Sequence, residues 1–266
     1  VEVDPRNTLL EGAISAEAAL AGGRREVHRV WLDRERDDGP ARRIRKLARA
    51  QGVRWTPASR AALDAHAQGG THGGVIAEVG DRLWTPLDEA LAAAAAPGAG
   101  FLAMLDGVED PFNFGQSVRS LYAAGAAGVV VRPRNWTSAA AVVARASAGA
   151  TERIGISVAA GPDEARDAAR AAGLRVAAAA GVADAVAPHE ADLTGPLLLV
   201  IGGERRGLRR SFLQTVDAVV AVPYARPFPA ALGTVAAASV VAFEAARQRA
   251  GLPMGSQADP AGPEGG

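Results

Sequence analysis

The chain has 266 residues, of which 48% are hydrophobic and 22% charged, so it can bury a sizeable core; a disordered or collagen-like polymer is excluded. It contains no cysteine, which excludes disulfides, thiolate-ligated zinc, iron–sulfur clusters and a thiol nucleophile. Lys+Arg and Asp+Glu are 29 each, so any attraction for a polyanion must come from local charge asymmetry.

No run of apolar residues is long enough to suggest a membrane span. The first ten residues carry Glu2, Asp4 and Arg6 ahead of any apolar run, which is not a signal-peptide pattern, and a cytoplasmic protein is expected. Lys46 is the only lysine and alanine is abundant, a bias of coding rather than of function.

Residues 1–85 read as a small α/β domain. Strands are predicted at 27–32, 53–56 and 73–79 by alternation and β-branched content. Helices are predicted at 40–51, between Pro40 and Gly52, and at 58–67. Residues 86–100, with an alanine run and Pro97-Gly98-Ala99-Gly100, read as the connection between domains. Residues 101–250 alternate strands (101–105, 128–131, 154–158, 174–178, 197–201 and 218–222) with helices near 114–125, 137–149, 162–172 and 207–215. A last helix is predicted from 232 to 249. That pattern predicts a mostly parallel sheet covered by helices on both faces. Leu197-Leu198-Leu199-Val200-Ile201 is apolar at every position, as a doubly buried strand should be. The Gly- and Pro-rich residues 251–266 read as a disordered tail.

Three segments stand out. Asp110-Pro111-Phe112-Asn113-Phe114-Gly115, with Arg119 beyond it, follows the 101–105 strand, at the edge where open α/β sheets bind ligands. A turn with Asn113 as helix cap is the competing reading. Gly202-Gly203-Glu204-Arg205-Arg206-Gly207 follows the most apolar strand; its glycines allow close approach of a ligand, but the spacing is neither a P-loop nor G-x-G-x-x-G. Third, Val222-Pro223-Tyr224 leads through a proline-rich loop to Ala231-Leu232-Gly233-Thr234-Val235 and a helix of small residues, suited to tight packing or to a ligand.

In this order the segments resemble motifs 1, 2 and 3 of the SpoU/TrmH branch of the SPOUT RNA methyltransferases, and Ser147-Ala148-Gly149-Ala150 resembles a further family signature. His72-Gly73-Gly74-Val75 and Gly12 match the family's small substrate-binding domain. The resemblance implies a deep trefoil knot in the C-terminal domain, a homodimer, and methyl transfer from S-adenosylmethionine to a ribose 2′-hydroxyl of rRNA or tRNA. It assigns catalysis to Asn113, Arg119 and Glu204, and cofactor binding to Gly202, Gly203, Val222 and Leu232. A guanidinium stays charged at ordinary pH, so gripping a phosphate and polarising the hydroxyl suit Arg119 better than taking a proton. Motif 3 of the family usually reads Ser-Leu-Asn-Val-Ser; here Ala231 and Gly233 replace the Ser and Asn, while the Leu232 backbone and the small-residue helix remain.

RNA binding has separate support in charge. Between Arg24 and Arg60 there are 12 Lys/Arg against five Asp/Glu. Arg42, Arg43, Arg45 and Lys46 surround one predicted helix, and Arg205 and Arg206 sit beside motif 2, where phosphate contacts would need them. Solvated helix faces are the alternative. Trp136 could stack on a base or pack in the core. The four histidines have no metal-site spacing, and neither a metal nor a membrane partner is expected. The competing classes are a non-catalytic RNA-binding protein that keeps the SPOUT fold, favoured by the altered motif 3, and a nucleotide-dependent oxidoreductase, disfavoured by the lack of an early G-x-G-x-x-G.

Overall fold

The computed structural model describes residues 7–67, 72–133, 139–203 and 206–251, together with Asp4 and Gly69. Glu204, Arg205, Trp136 and residues 252–266 lie outside the described residues.

The N-terminal unit holds β1 (Thr8–Glu11), α1 (Ala13–Gly22), β2 (Arg25–Asp33), α2 (Gly39–Ala50), β3 (Arg54–Ala58), α3 (Arg60–Asp64) and β4 (Val75–Arg82). Its sheet order is β1-β4-β2-β3. β4 is antiparallel to both neighbours, and β2 and β3 are parallel. Period-two alternation divides the core. Val30, Leu32, Ala77 and Val79 face α1 and α2, whereas Trp31 and Ile76 face Leu63 of α3. Asp38 caps α2, its carboxylate accepting the Ala41 N–H at 2.9 Å, and proline at the first turn completes the start signal. Buried His72 sits in the turn before β4, its Nε2 2.7 Å from Asp64 Oδ1.

The C-terminal unit adds α4 (Leu87–Ala95), β5 (Leu102–Asp106), α5 (Pro111–Ala123), β6 (Gly128–Val131), α6 (Ala140–Ala146), β7 (Gly155–Val158), α7 (Pro162–Ala171), β8 (Arg175–Ala179), β9 (Leu197–Gly202), α8 (Arg210–Leu213), β10 (Ala218–Val220) and α9 (Thr234–Arg249). The six strands are all parallel, in the order β10-β8-β9-β5-β6-β7. One face packs Ala103, Leu105, Leu199 and Ile201 against α5 and α9; the other packs Leu102, Met104, Leu198 and Val200 against α4, α7 and α8. α4 lies in the segment expected as the connection, and its Ala90, Leu91 and Ala94 join the second of these cores.

The two units are fastened by buried charge. Glu152, 1% exposed, accepts from Arg25 at 3.0 Å and from Arg82 at 2.6 Å. Burial pulls the Arg82 guanidinium below its ordinary pKa, against the pull of Glu152. The units also meet closely at Gly149, where an added Cβ would lie 2.5 Å from the Ala18 side chain of α1.

Candidate active site and cofactor cleft

The carboxyl ends of β8, β9 and β10 open into a cavity of about 900 Å3. Gly202 and Gly203 end β9 and line it, with Arg206, Gly207 and Leu208 beyond them. Val222 and Tyr224 follow β10, and Leu232, Gly233 and Thr234 lead into α9. So all four residues expected to hold a cofactor meet at one cleft.

Backbone forms much of its wall. The β9 strand ends against β5: the Gly203 N–H donates to the Asp106 carbonyl at 2.6 Å, and a Cβ on Gly203 would come within 2.1 Å of the Gly107 carbonyl oxygen. A Cβ on Gly202 would meet the backbone of Gly207 at 2.9 Å. Close approach leaves no room for a side chain at Gly202 or Gly203. Thr234 Oγ1 donates to the Gly202 carbonyl at 3.2 Å, tying the start of α9 to the end of β9.

The cleft fits a nucleoside-sized cofactor in volume and in lining. Val222, Leu213 and Val241 supply apolar surface for a flat base, and the glycine-rich backbone supplies polar groups at close range. The S-adenosylmethionine that the resemblance implies would supply there a methyl group activated on a sulfonium.

A second cavity of about 430 Å3 shares Gly203, Arg206 and Gly207 with the first. Buried Asp106 and half-exposed Arg132 form an ion pair on its wall. The hydrogen bond to Asp106 raises the Arg132 pKa above its ordinary value.

Motif 1 meets the second cavity through Phe114 alone of its residues. Asp110, not Asn113, caps α5; its Oδ1 accepts the Asn113 N–H at 2.8 Å, because Pro111 occupies the first helical position. Asn113 is half-buried and Arg119 exposed, and neither lines either cavity. Phe112, Arg119 and Tyr122 fall at helical spacing on one exposed face of α5. Glu204 and Arg205 lie outside the described residues. Arg206 is exposed at the rim shared by both cavities.

In the basic cluster, Arg42, Arg43 and Lys46 are exposed on α2. Arg43 pairs with Glu17, and Arg45 is held by Asp37 at 2.6 Å with its guanidinium over the Trp55 ring. Tyr224, Thr234 and Arg132 are the site residues that sequence reading did not single out as ligands or partners. The third sequence segment contained Tyr224 and Thr234 without giving either a role, and nothing in the sequence pointed to Arg132.

A parallel sheet with a backbone-lined cleft outside its carboxyl ends, joined to a small basic unit, defines an α/β enzyme that holds a nucleotide-like cofactor. Comparison with known proteins makes the class specific. The family model described as "SpoU rRNA Methylase family" matches residues 100–243, and that described as "RNA 2′-O ribose methyltransferase substrate binding" matches residues 9–82. The 23S rRNA (guanosine-2′-O-)-methyltransferase RlmB of Shewanella oneidensis is 31% identical over 247 residues, covering 92% of this chain and 98% of the relative. A crystal structure of an RNA 2′-O ribose methyltransferase superposes with TM-score 0.71 at 26% identity, covering 92% of this chain and 90% of that one. The fold is also that of the SpoU methyltransferase AviRb from Streptomyces viridochromogenes, solved in complex with AdoMet (TM-score 0.72, 23% identity, 93% of this chain and 92% of that one). The chain belongs to the SpoU rRNA methylase family. It is an S-adenosylmethionine-dependent RNA ribose 2′-O-methyltransferase.

Proposed function

We propose that the chain methylates the 2′-hydroxyl of a guanosine in 23S ribosomal RNA, in the cytoplasm. The observation that carries this reading is the end-to-end likeness to the Shewanella enzyme, which takes in both the small unit and the methyltransferase unit. In this reading residues 1–85 bind RNA, 86–100 connect, and 101–250 form the methyltransferase unit around a trefoil knot.

Gly202, Gly203, Val222 and Leu232 hold the cofactor. Arg42, Arg43, Lys46, Arg205 and Arg206 meet RNA phosphates, with Arg45 keeping the helix and its charges in place. Asn113, Arg119 and Glu204 serve the reacting ribose: Arg119 grips a phosphate and polarises the hydroxyl, Asn113 orients it, and Glu204 holds the motif 2 loop.

The enzyme works as a homodimer. Phe112 and Tyr122 on α5 and Val240 and Phe243 on α9 are each more than 40% exposed, an apolar surface unusual for a monomer. Arg119 shares that face of α5 and lines neither cavity of its own chain, and in this reading it serves the cleft of the second copy.

Mass spectrometry of ribose methylation in rRNA and tRNA, with and without the gene, tests the assignment. Loss of one 2′-O-methylguanosine from 23S rRNA is expected. A lost methyl in tRNA alone, or none at all, overturns it.

A further inference from the structure

The wall of the cleft between β10 and α9 is irregular. Among the described residues, 222–232 make no backbone–backbone hydrogen bond. Such a segment would not hold a ligand-shaped wall unless something else fastened it. Motif 3 in this chain offers Ala231 and Gly233, neither of which has a polar side chain.

The fastening comes from the near end of the loop. The Tyr224 hydroxyl accepts the Leu232 N–H at 2.8 Å and donates to the Ala230 carbonyl at 3.3 Å. One side-chain oxygen thereby satisfies a backbone donor and a backbone acceptor, closing the loop from its first residues to its last. The Tyr224 ring lies 6.2 Å from that of Phe228, tilted by 55°, so the loop also packs on itself. Pro223, Pro227 and Pro229 restrict the backbone between, which lowers the entropy lost in holding one shape. Tyr224, Phe228 and Leu232 all line the cleft, so the fastened loop is its wall.

We propose that Tyr224 is a positioning residue for the cofactor: its hydroxyl, through the Leu232 N–H and the Ala230 carbonyl, shapes the loop that the cofactor binds against. The proposal rests on the cleft being the cofactor site. It also fixes which backbone groups remain for the ligand, because the Leu232 N–H is already committed to Tyr224. A side chain at Gly233 would meet nothing within 4 Å and its backbone is outside the left-handed region, so the loop has room for an alternative fastener there.

Tyr224→Phe removes the oxygen and keeps the ring. Hydrogen exchange on the ligand-free protein reads the fastening directly: exchange over residues 230–233 should speed up while the global melting temperature stays unchanged. Calorimetry with S-adenosylhomocysteine should then show binding weakened roughly threefold to tenfold, the scale of one lost hydrogen bond. The cofactor KM should rise with kcat nearly kept, and Gly233→Asn in the Tyr224→Phe background should restore part of the affinity. Unchanged exchange at 230–233, or unchanged S-adenosylhomocysteine affinity in Tyr224→Phe, overturns the proposal. Wild-type protein that binds no S-adenosylhomocysteine would instead sink the cleft assignment, and the exchange measurement would still decide whether the hydroxyl fastens the loop.

Discussion

Gly203 has no room for a methyl group, because the Gly107 carbonyl oxygen occupies the place of its Cβ. Gly203→Ala should force β9 and β5 apart at their ends, costing about 1–3 kcal/mol as overpacking does. It should also weaken S-adenosylhomocysteine binding, since the same backbone lines the cleft; denaturant unfolding and calorimetry check the two effects separately. Arg119 presents the opposite situation, exposed and outside its own chain's cleft. Arg119→Ala should lower kcat about a hundredfold or more, as loss of a group acting on the transition state does, with cofactor affinity nearly intact. Wild-type turnover in that variant would remove Arg119 from the mechanism. The identities of these residues were legible in the motifs. Their surroundings were not, since a Gly–carbonyl contact between β9 and β5 joins residues almost a hundred positions apart.

Among the elements, β2, β4 and the turn after α6 meet at Glu152. The carboxylate is buried between Arg25 and Arg82, whose side chains are only 7% and 10% exposed. Glu152→Gln would leave two buried guanidinium groups without an opposite charge and should destabilise the protein by about 3–5 kcal/mol, read by urea unfolding. The cap of α2 yields a pH effect. The Ala41 N–H holds the Asp38 carboxyl below the usual aspartate range. A depressed folded pKa means that the contribution is present above the ordinary aspartate range and is lost as pH falls through the depressed value. Asp38→Asn still caps without titrating, so its melting temperature should fall less steeply on acidification than that of the wild type.

For the whole molecule, the exposed faces of α5 and α9 predict self-association. Phe243→Glu should give a monomer in sedimentation, with methyl transfer lost and S-adenosylhomocysteine binding retained. RNA engagement should depend on the exposed cations of α2. Replacing Arg42, Arg43 and Lys46 by Glu should weaken RNA binding and flatten its dependence on salt, since fewer counterions are released, without changing cofactor affinity. Unaltered RNA affinity would assign that face to solvation.

The sequence by itself determined the class of fold and the order of the elements that carry chemistry. The strand at 197–201 announces burial on both faces because each residue is apolar, and β9 is buried as expected. Proline and glycine signals placed α2 within a residue or two, whereas α5 begins three residues before the expected 114 because Asp110 rather than Asn113 caps it. β1 and α1 escaped notice: β1 is four residues long, and α1 buries mostly alanines, which mark no stripe because they sit as readily on either face. The helix predicted at 207–215 shortens to α8, Arg210–Leu213, and Gly207 and Leu208 before it lie against Gly202 at the end of β9 instead. Tertiary structure alone decided that β9 lies between β8 and β5, which brings the Gly202 loop beside the motif 3 loop. It alone turned Arg119 outward, paired Asp106 with Arg132 and set the Tyr224 hydroxyl on the Leu232 amide. Local sequence fixes backbone period and ends, whereas these contacts depend on strand order, which follows from how two helical layers cover one sheet.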